Sequence, residues 1–244
     1  RFGIRPLYYT ENDKGFKAVS ETKQLNAYSK FERKLNERVI ENYLGANFID
    51  YNDETFFNNV FRFSAGSFIK INPKEYKRNY IRTNQKNYYQ LSNKIVKVKE
   101  DEAIEQLRFL IHDSLKIRMQ DDIDYGFALS GGVDSSTLFY IAHNLIEKNV
   151  IENKIEGFTI GFPNHKDSDE SKFVKVIEKD LKQYKINYIN PIENFDFNKI
   201  EKLIYNLDFP FVGSASLAQS VMYDEVSSRG IKVLFNGQSV DEVF

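Results

Sequence analysis

Beyond about residue 100, the chain alternates short apolar runs with segments of helical periodicity. Four runs suit buried strands: residues 126–129, 157–162, 186–189 and 231–235. Apolar side chains recur every three or four positions in three other segments: Ile104, Leu107, Ile111 and Leu115; Leu138, Ile141, Ala142, Leu145 and Ile146; and Ile200, Leu203, Ile204 and Leu207. Strands that alternate with helices of about 10 to 15 residues indicate βαβ units. The sequence therefore predicts an α/β fold, a parallel sheet with helices on both faces.

Residues 1–90 have a different pattern, in which shorter apolar and aromatic runs are separated by turn-forming residues. The stretch Glu-Asn-Asp-Lys-Gly at 11–15 lies between two such runs and predicts a strand, a turn and a second strand. A further β-like stretch covers 61–71, and one short helix is expected near 37–44. This part of the chain is therefore predicted to be rich in β-structure.

A polar stretch with little periodicity, residues 82–100, separates the two patterns. A length of 244 residues allows one or two domains, at roughly 100–200 residues each. We therefore predict two domains. The first is β-rich and covers 1–90 with its linker, and the α/β domain covers 91–244.

The amino-acid composition argues against several classes of binding partner. Lys and Arg (34) nearly balance Asp and Glu (35), and the net charge of −1 argues against a nucleic-acid partner. The chain has no cysteine, which excludes disulfides and thiolate zinc sites within it, and His112, His143 and His165 are too scattered to indicate a metal cluster. No apolar run approaches the roughly 20 residues of a membrane span, and the first residues lack a secretory signal pattern. We expect a cytoplasmic protein with no membrane partner.

The stretch Ser-Gly-Gly-Val-Asp-Ser-Ser at 130–136 lies where a predicted strand gives way to a predicted helix. Gly131 and Gly132 allow a tight turn and a close approach to a ligand, and the free amides at a helix start attract an anion such as phosphate. The hydroxyl groups of Ser130, Ser135 and Ser136 add donors. The loop lacks the lysine of a Walker A loop, which disfavours transfer of the γ-phosphoryl group.

Asp134 is unexpected in such a loop, because a carboxylate repels phosphate unless a hard cation such as Mg²⁺ bridges the two. The loop therefore predicts a site for magnesium-bound pyrophosphate, with Asp134 as a metal ligand. In the alternative, Asp134 or Ser135 caps the following helix and no ligand is involved.

A similar arrangement follows the last predicted strand, with Asn-Gly-Gln-Ser-Val-Asp-Glu at 236–242. If this strand is parallel to the first, both loops open at the same edge of the sheet, where ligands bind in open α/β folds. Asp241 and Glu242 would then supply further carboxylates, for a metal or for a substrate ammonium group. In the alternative, the two acids begin a solvated helix.

These residues resemble a known family. The loop at 130–136 is similar to the pyrophosphate loop of the N-type ATP pyrophosphatases, and "RGIKVLFNGQSVDEVF" at 229–244 resembles the second signature of the asparagine synthases (glutamine-hydrolysing). "RFGIRPLYY" and "SETKQL" resemble the closing strands of the family's glutaminase domain, and "LDFPFVGSASLAQ" resembles its D-E-P-x-x-x-x-S segment. The resemblance covers nearly the whole chain in the expected order.

The resemblance implies a fold and a reaction. It implies a sheet domain like that of the adenine nucleotide alpha hydrolases, after part of a glutaminase domain of the N-terminal nucleophile hydrolase type. The side-chain carboxylate of aspartate would attack the α-phosphorus of ATP, and ammonia from glutamine would then displace AMP to give asparagine. The substrates and cofactor implied are thus ATP, aspartate or a related carboxylate, ammonia and Mg²⁺, and a homodimer is compatible with the family.

The resemblance also implies roles for individual residues. Asp134, Gln238, Asp241 and Glu242 would form the catalytic set, with Asp134 and Asp241 on magnesium. The nucleotide would contact Leu129, Ser130, Gly131, Gly132, Asp134, Ser135, Ser136, Ile160, Asn236 and Gly237. Ser214, Ser216 and Gln219 would lie near the amino-acid substrate; alternatively, these serines only cap a helix at Leu217.

Three departures from the family pattern affect this interpretation. The family's glutaminase nucleophile is a cysteine, so we do not expect these 244 residues alone to hydrolyse glutamine. They also stop before the helices that carry a basic residue in the family, which makes turnover by this stretch doubtful. Gln238 replaces a glutamate that assists ammonia and cannot accept a proton as a carboxylate does. Two alternatives stay open: another amide-forming synthetase on the same scaffold (a β-lactam or peptide-ring synthetase, or a cell-envelope amidotransferase), and a nucleotide-binding chain without turnover.

Overall fold

The chain folds into two units in a computed structural model, which describes residues 1–28, 31–119, 122–164, 169–193, 196–238 and 240. Unit 1 comprises Arg1–Ile95 and Ile204–Phe211, and unit 2 comprises Val96–Leu203 and Val212–Phe244. The chain therefore passes from one unit to the other three times, after residues 95, 203 and 211. None of the described helices is both long enough and apolar enough to cross a membrane.

Among its described residues, unit 1 contains five short strands and two α-helices. The strands are β1 (Tyr8–Asn12), β2 (Gly15–Val19), β3 (Phe61–Arg62), β4 (Ser67–Phe68) and β5 (Lys86–Asn87), and the helices are α1 (Glu37–Ala46) and α2 (Tyr80–Asn84). A 3-10 helix covers Thr22–Ala27. Strand β1 pairs antiparallel with β2 and with β3. The predicted strand, turn and strand and the helix near 37–44 are confirmed.

The structure differs in three details from what the sequence predicted for unit 1. The first turn is shorter than residues 11–15, because Glu11 belongs to β1. The buried Glu11 carboxylate accepts hydrogen bonds from the amides of Ile81 (3.0 Å) and Arg82 (3.2 Å) at the start of α2. The β-like stretch at 61–71 forms only the two-residue strands β3 and β4, and the polar stretch at 82–100 includes most of α2 and all of β5.

Unit 2 contains the parallel sheet that the sequence predicts. Its strands are β6 (Tyr125–Ala128), β7 (Ile155–Ile160), β8 (Lys185–Ile189) and β9 (Val233–Phe235), in the order β8-β7-β6-β9, and every neighbouring pair is parallel. The helices are α3 (Glu100–Arg118), α4 (Val133–Glu147), α5 (Ser171–Asp180), α6 (Phe197–Leu207, whose last turn enters unit 1) and α7 (Gly213–Ser228). Because β6 lies between β7 and β9, the loops that follow these three strands open at one edge.

The strands of unit 2 are apolar because they are covered by helices. Tyr125 and Phe127 of β6 are fully buried, and the Phe127 ring packs against Phe139 of α4 with centroids 5.4 Å apart. The predicted apolar face of α4 is confirmed, since Ile141, Ala142 and Leu145 are buried. The predicted face of α3 is covered only near its end. Leu115 is buried, whereas Ile104 and Leu107 are exposed, because only the last turns of α3 pack against the core.

The hydroxyl of Tyr140, on α4, donates a 2.6 Å hydrogen bond to the Asp180 carboxylate at the end of α5. This bond and burial raise the pKa of Tyr140 to about 12. A raised pKa means that the folded state retains a proton which the unfolded state loses near pH 10, so stability from this group is complete below about pH 10 and disappears as the pH rises to about 12. Tyr140→Phe should therefore be less stable than the natural chain at pH 8, with a difference that shrinks between pH 10 and 12. Urea unfolding of both proteins across that range measures it, and a constant difference would contradict the assignment.

Candidate active site

A cleft of about 1080 Å³ opens in unit 2 at the carboxyl ends of β6, β7, β8 and β9. Its lining combines the segments that follow these strands with one side of α7 and with Glu170 at the N-cap of α5. The lining residues are Ala128, Leu129, Ser130, Gly132, Val133, Asp134, Ser135, Phe158, Ile160, Phe162, Glu170, Pro191, Ile192, Ser214, Ala215, Leu217, Ala218, Gln219, Met222, Tyr223, Asn236, Gly237 and Gln238. Nine of the predicted site residues are thus brought together: Leu129, Ser130, Gly132, Asp134, Ser135, Ile160, Asn236, Gly237 and Gln238.

The loop between β6 and α4 turns sharply at Gly131. This residue has φ +80°, a left-handed conformation that favours glycine. A Cβ at this position would also lie within 3.0 Å of the Phe173 Cβ on α5. Gly131 itself does not line the cleft, so its contribution is the shape of the turn. The turn places Gly132 at the N-cap of α4, and Gly132 lines the cleft together with the first residues of the helix, Val133, Asp134 and Ser135.

The three serines of this loop have different environments. The buried Ser135 hydroxyl accepts a hydrogen bond from the Ser130 amide (3.2 Å) and lies 3.1 Å from the Ser130 hydroxyl. The Ser130 hydroxyl also accepts from the Gly132 amide at 3.2 Å. The Ser136 hydroxyl donates to the Gly132 carbonyl at 2.6 Å, and Ser136 does not line the cleft. Ser130 is the exposed residue of the three. The buried Ser135 hydroxyl stabilises the loop through its contacts with the Ser130 amide and hydroxyl.

Helix capping does not account for the polar residues of this loop. Asp134 and Ser135 lie inside the first turn of α4, and neither side chain caps the helix. The alternative in which one of them serves only as a cap is therefore wrong. In the part of the chain that the structure describes, no hydrogen bond or ion pair engages the half-buried Asp134 carboxylate. A free carboxylate remains at the cleft beside the positive end of a helix.

The Asp134 carboxylate is a suitable ligand for a hard cation that also binds phosphate oxygens. Mg²⁺ in such sites is held by one or two carboxylates and by substrate oxygens, so it does not require a full protein cage. Consistent with this, no group of three or more acidic or histidine side chains among the described residues forms a metal cage. Glu170 is a second carboxylate of the cleft wall, which the sequence did not identify. Asp241, the other predicted metal ligand, lies outside the described residues, as does Glu242.

The loop after β9 lies directly against the loop after β6. Strands β9 and β6 are parallel neighbours, which confirms that both loops open at the same edge of the sheet. A Cβ on Gly237 would lie 2.8 Å from the Asp134 Cβ and 2.8 Å from the Ser135 nitrogen. The Gln238 amide donates to the Asn236 side-chain oxygen at 3.2 Å, which curls this loop. The absence of a side chain at Gly237 is what lets the two loops meet.

Leu129 and Ile160 lie where β6 and β7 reach the cleft. The Leu129 side chain is buried, and its amide donates to the Phe158 carbonyl at 2.7 Å. The sheet therefore uses this amide, and a nucleotide at the strand ends would meet other backbone groups. Phe162 and Ile192 line the same cleft and add apolar surface, which no sequence motif predicted.

Helix α7 forms one wall of the cleft. Ser214 and Gln219 line it, as predicted for residues near the amino-acid substrate, whereas Ser216 does not. The helix begins at Gly213 and its N-cap is Val212 without a side-chain cap, so the serines lie within the helix. The alternative that they cap a helix at Leu217 is wrong. Met222 and Tyr223 extend the wall, and no sequence motif identified them.

Gly237→Ala tests whether the close approach of the two loops matters. The new Cβ would overlap Asp134 and the Ser135 amide, and overpacking of this kind costs about 1–3 kcal/mol. We expect the affinity for Mg-ATP to fall roughly ten- to hundredfold, since each 1.4 kcal/mol corresponds to a factor of ten. Isothermal titration calorimetry measures this. Gly161→Ala is the matched control, because its Cβ would meet nothing closer than 3.7 Å, and an equal loss in both variants would contradict the interpretation.

Comparison with known proteins identifies the family of the chain. The family model "Asparagine synthase" matches residues 106–244, and the model "Glutamine amidotransferase domain" matches residues 1–89. All of this chain aligns with asparagine synthetase [glutamine-hydrolyzing] 1 of Bacillus subtilis at 26% identity, covering 36% of that protein, and 99% of it aligns with synthetase 2 of the same organism at 27%, covering 33%. Amidase chyE of Penicillium rubens is 25% identical over the whole chain and 36% of its own length. The chain thus spans about a third of the length of each of these three relatives. It belongs to the asparagine synthase family.

Proposed function

We propose that this chain carries the ATP-binding part of an amide-forming ligase that activates a carboxylic acid by adenylation, with aspartate as the first candidate acid. Family membership supports an amidotransferase or ligase role in general. The observation that carries the finer proposal is the meeting of two strand-end loops around the free Asp134 carboxylate. Residues 91–244 would form the synthetase domain, and 1–90 would be the C-terminal part of a glutamine amidotransferase domain with its linker.

The cleft residues would have different roles in the first step, the adenylation of the acid. The amides at the start of α4 would bind the phosphates, and the turn at Gly131 would hold those amides in place. Asp134 would hold Mg²⁺ together with the phosphates, and Asp241 is the second proposed ligand. Mg²⁺, when bound, neutralises charge on the phosphate oxygens and on the departing pyrophosphate. The acid's carboxylate oxygen would attack the α-phosphorus, the bond to the β-phosphate oxygen would break, and pyrophosphate would leave an acyl-adenylate.

In the second step, ammonia attacks the acyl carbon and AMP leaves with the bonding electrons. Ammonia must lose one proton when the amide forms. Gln238 lines the cleft but its amide cannot accept that proton, so we assign it an orienting role through its carbonyl oxygen. Glu242, which lies outside the described residues, stays a proposed carboxylate of the catalytic set. Ammonia would be derived from glutamine, and no cysteine among these 244 residues can serve as the nucleophile for that hydrolysis.

A second candidate is an amide-forming ligase for a larger or more apolar acid. Two observations favour it: Gln238 in place of a carboxylate, and the wall of α7, on which Leu217, Met222 and Tyr223 lie beside Ser214. A relative named as an amidase, and not as an asparagine synthetase, matches the whole chain. In both candidates the acid is adenylated, so the two share the nucleotide site and differ in the acid.

Exchange of labelled pyrophosphate into ATP, measured with a panel of carboxylic acids, tests the proposal. Aspartate-dependent exchange, followed by asparagine formation when ammonia is added, is the expected result. Exchange that depends on an aromatic or apolar acid, without asparagine, would replace aspartate with that acid. Binding of Mg-ATP without exchange for any acid would support the alternative of a nucleotide-binding chain without turnover. Absence of Mg-ATP binding would reject the proposal.

The cellular location and the state of assembly are predictions from the sequence and the family resemblance. A cytoplasmic location and a homodimer stay predictions, and size-exclusion chromatography with light scattering measures the second.

A further inference from the structure

The turn at Gly131 lies directly against the first turn of α5, and both belong to unit 2. A Cβ on Gly131 would overlap the Phe173 Cβ, and it would lie 3.2 Å from the Phe173 carbonyl carbon and 3.2 Å from the Val174 nitrogen. Two consecutive residues of α5 therefore occupy the space beside Gly131. Because glycine has no side chain, the backbone of the loop itself makes this contact.

Helix α5 is held in place by contacts with several other elements of unit 2. Val174 is fully buried in the core cluster of the sheet. Near the end of the helix, the Tyr140 hydroxyl on α4 donates to the Asp180 carboxylate at 2.6 Å. The Tyr188 hydroxyl on β8 donates to the Glu178 carboxylate at 2.8 Å. A displacement of α5 would break both hydrogen bonds and uncover Val174, so the helix is a fixed support for the loop that contacts it.

The side-chain hydrogen bonds of the loop do not fix its position relative to other elements. Within the described part of the chain, the hydroxyls of Ser130, Ser135 and Ser136 bond only to groups of the loop itself. These bonds set the shape of the loop, whereas its placement also needs contacts with neighbouring elements. Two such contacts are close: that of Gly131 with α5, and that of the start of α4 with Gly237.

We propose that Phe173 is a positioning residue for the loop at 130–136: its Cβ and backbone fill the space beside Gly131 and hold the amides of residues 131–134 in one arrangement. Phe173 is not among the described residues that line the cleft, so it acts on a ligand only through the loop. The consequence for phosphate binding rests on the proposed function. The support of the loop by α5 does not, because it is a property of the free protein.

Hydrogen exchange followed by mass spectrometry on the 244-residue chain tests this support without any ligand. Phe173→Gly removes the Cβ that contacts the loop. We expect the peptides that cover 130–136 to lose protection by about tenfold, since local opening then requires less free energy. Phe173→Ala keeps the Cβ, and its loop should exchange like that of the natural chain although the whole ring is lost. A role of the ring in general packing would instead give equal losses in both variants.

Val176→Gly is the matched control, because it places a glycine in the same helix at a side chain that is 65% exposed. This variant carries the cost of a glycine within a helix but leaves the contact with Gly131 intact. Its peptides at 130–136 should exchange like those of the natural chain. Unchanged protection in Phe173→Gly would overturn the proposal, as would an equal loss in Phe173→Ala or in Val176→Gly.

A second experiment moves the methyl group from one side of the contact to the other. In the double variant that combines Gly131→Ala with Phe173→Gly, the new Cβ enters the space that the Phe173 Cβ has left. Binding of magnesium pyrophosphate, which Gly131→Ala alone should lose, should return to within about tenfold of the natural chain, because only the cost of φ +80° remains. Gly131→Ala with Val176→Gly should show no recovery.

The urea midpoints of the same variants provide a readout that needs no ligand. The double variant with Phe173→Gly should unfold at a higher urea concentration than Gly131→Ala, and it should fold even if Gly131→Ala does not. No recovery of the midpoint in this double variant would overturn the proposal. If the natural chain does not bind magnesium pyrophosphate, the proposed function fails, while hydrogen exchange and the urea midpoints still decide the role of Phe173.

Discussion

Asp134→Asn should abolish magnesium-dependent binding of ATP and of pyrophosphate while leaving the fold intact. The carboxylate lies at the start of α4 with no hydrogen-bond or ion-pair partner among the described residues, so the change to an amide breaks no such interaction. Its charge is what allows a cation to sit between the protein and the phosphates, and a bound metal supplies several kcal/mol of charge stabilisation. We expect the affinity for Mg-ATP to fall by about 100-fold or more. Calorimetry gives the affinity, and circular dichroism checks the fold.

Glu170→Gln is the matched control for this experiment. It removes a carboxylate from the same cleft, but one that lies at the N-cap of α5 and outside the loop. Binding of Mg-ATP should then change by no more than about threefold, the size of effect common for an exposed charge. An equal loss in both variants would mean that only the overall negative charge of the cleft matters, which contradicts the role of Asp134 as metal ligand.

Gly131→Ala should have the largest effect on stability of any single methyl group added to the loop. The residue has φ +80°, which costs about 1–2 kcal/mol for a side chain. The new Cβ would also overlap Phe173, and overpacking costs about 1–3 kcal/mol. Together these give a destabilisation of roughly 2–5 kcal/mol. Urea unfolding should show it, and Mg-ATP binding should be lost because the amides of the turn would move.

Gly132→Ala separates strain from the mere addition of a methyl group. Gly132 has φ −71°, which any residue adopts, and the only neighbour of its Cβ would be the Ser130 hydroxyl at 3.2 Å. This variant should lose less than about 1 kcal/mol, as surface substitutions usually do. Equal destabilisation by the two alanines would show that the left-handed turn and the contact with Phe173 are not what the first glycine provides.

The parallel sheet and its loops could be predicted because their signals are local. The period of apolar residues distinguishes α4 from β6, and Ser130–Ser136 stands where the pattern changes. The same stretch predicted a turn at its two glycines. It could not show that a side chain at Gly131 would collide with another part of the chain. Its neighbour Phe173 is 42 positions further along the chain, and the contact exists only after α5 packs beside the loop.

Other features depend on long-range packing, which periodicity cannot show. The apolar period placed Leu203 and Ile204 on one helical face, yet they belong to different units. A periodic pattern identifies the apolar face of a helix, but it does not show which unit packs against that face. Tyr223 and Glu170 carry no motif, and they join the cleft only because α7 and α5 approach the strand ends. Capping was predicted as an alternative at both helix starts, but the serines lie within the helices, one turn later than a cap requires.

A crystal structure of the chain with Mg²⁺ and a non-hydrolysable ATP analogue tests the central claim most directly. We expect the phosphates at the amides between Gly131 and Asp134, the metal on the Asp134 carboxylate, and the nucleotide enclosed on the other side by the loop at 236–238. A nucleotide bound at the opposite edge of the sheet, or phosphates in the cleft with a metal that does not touch Asp134, would contradict it.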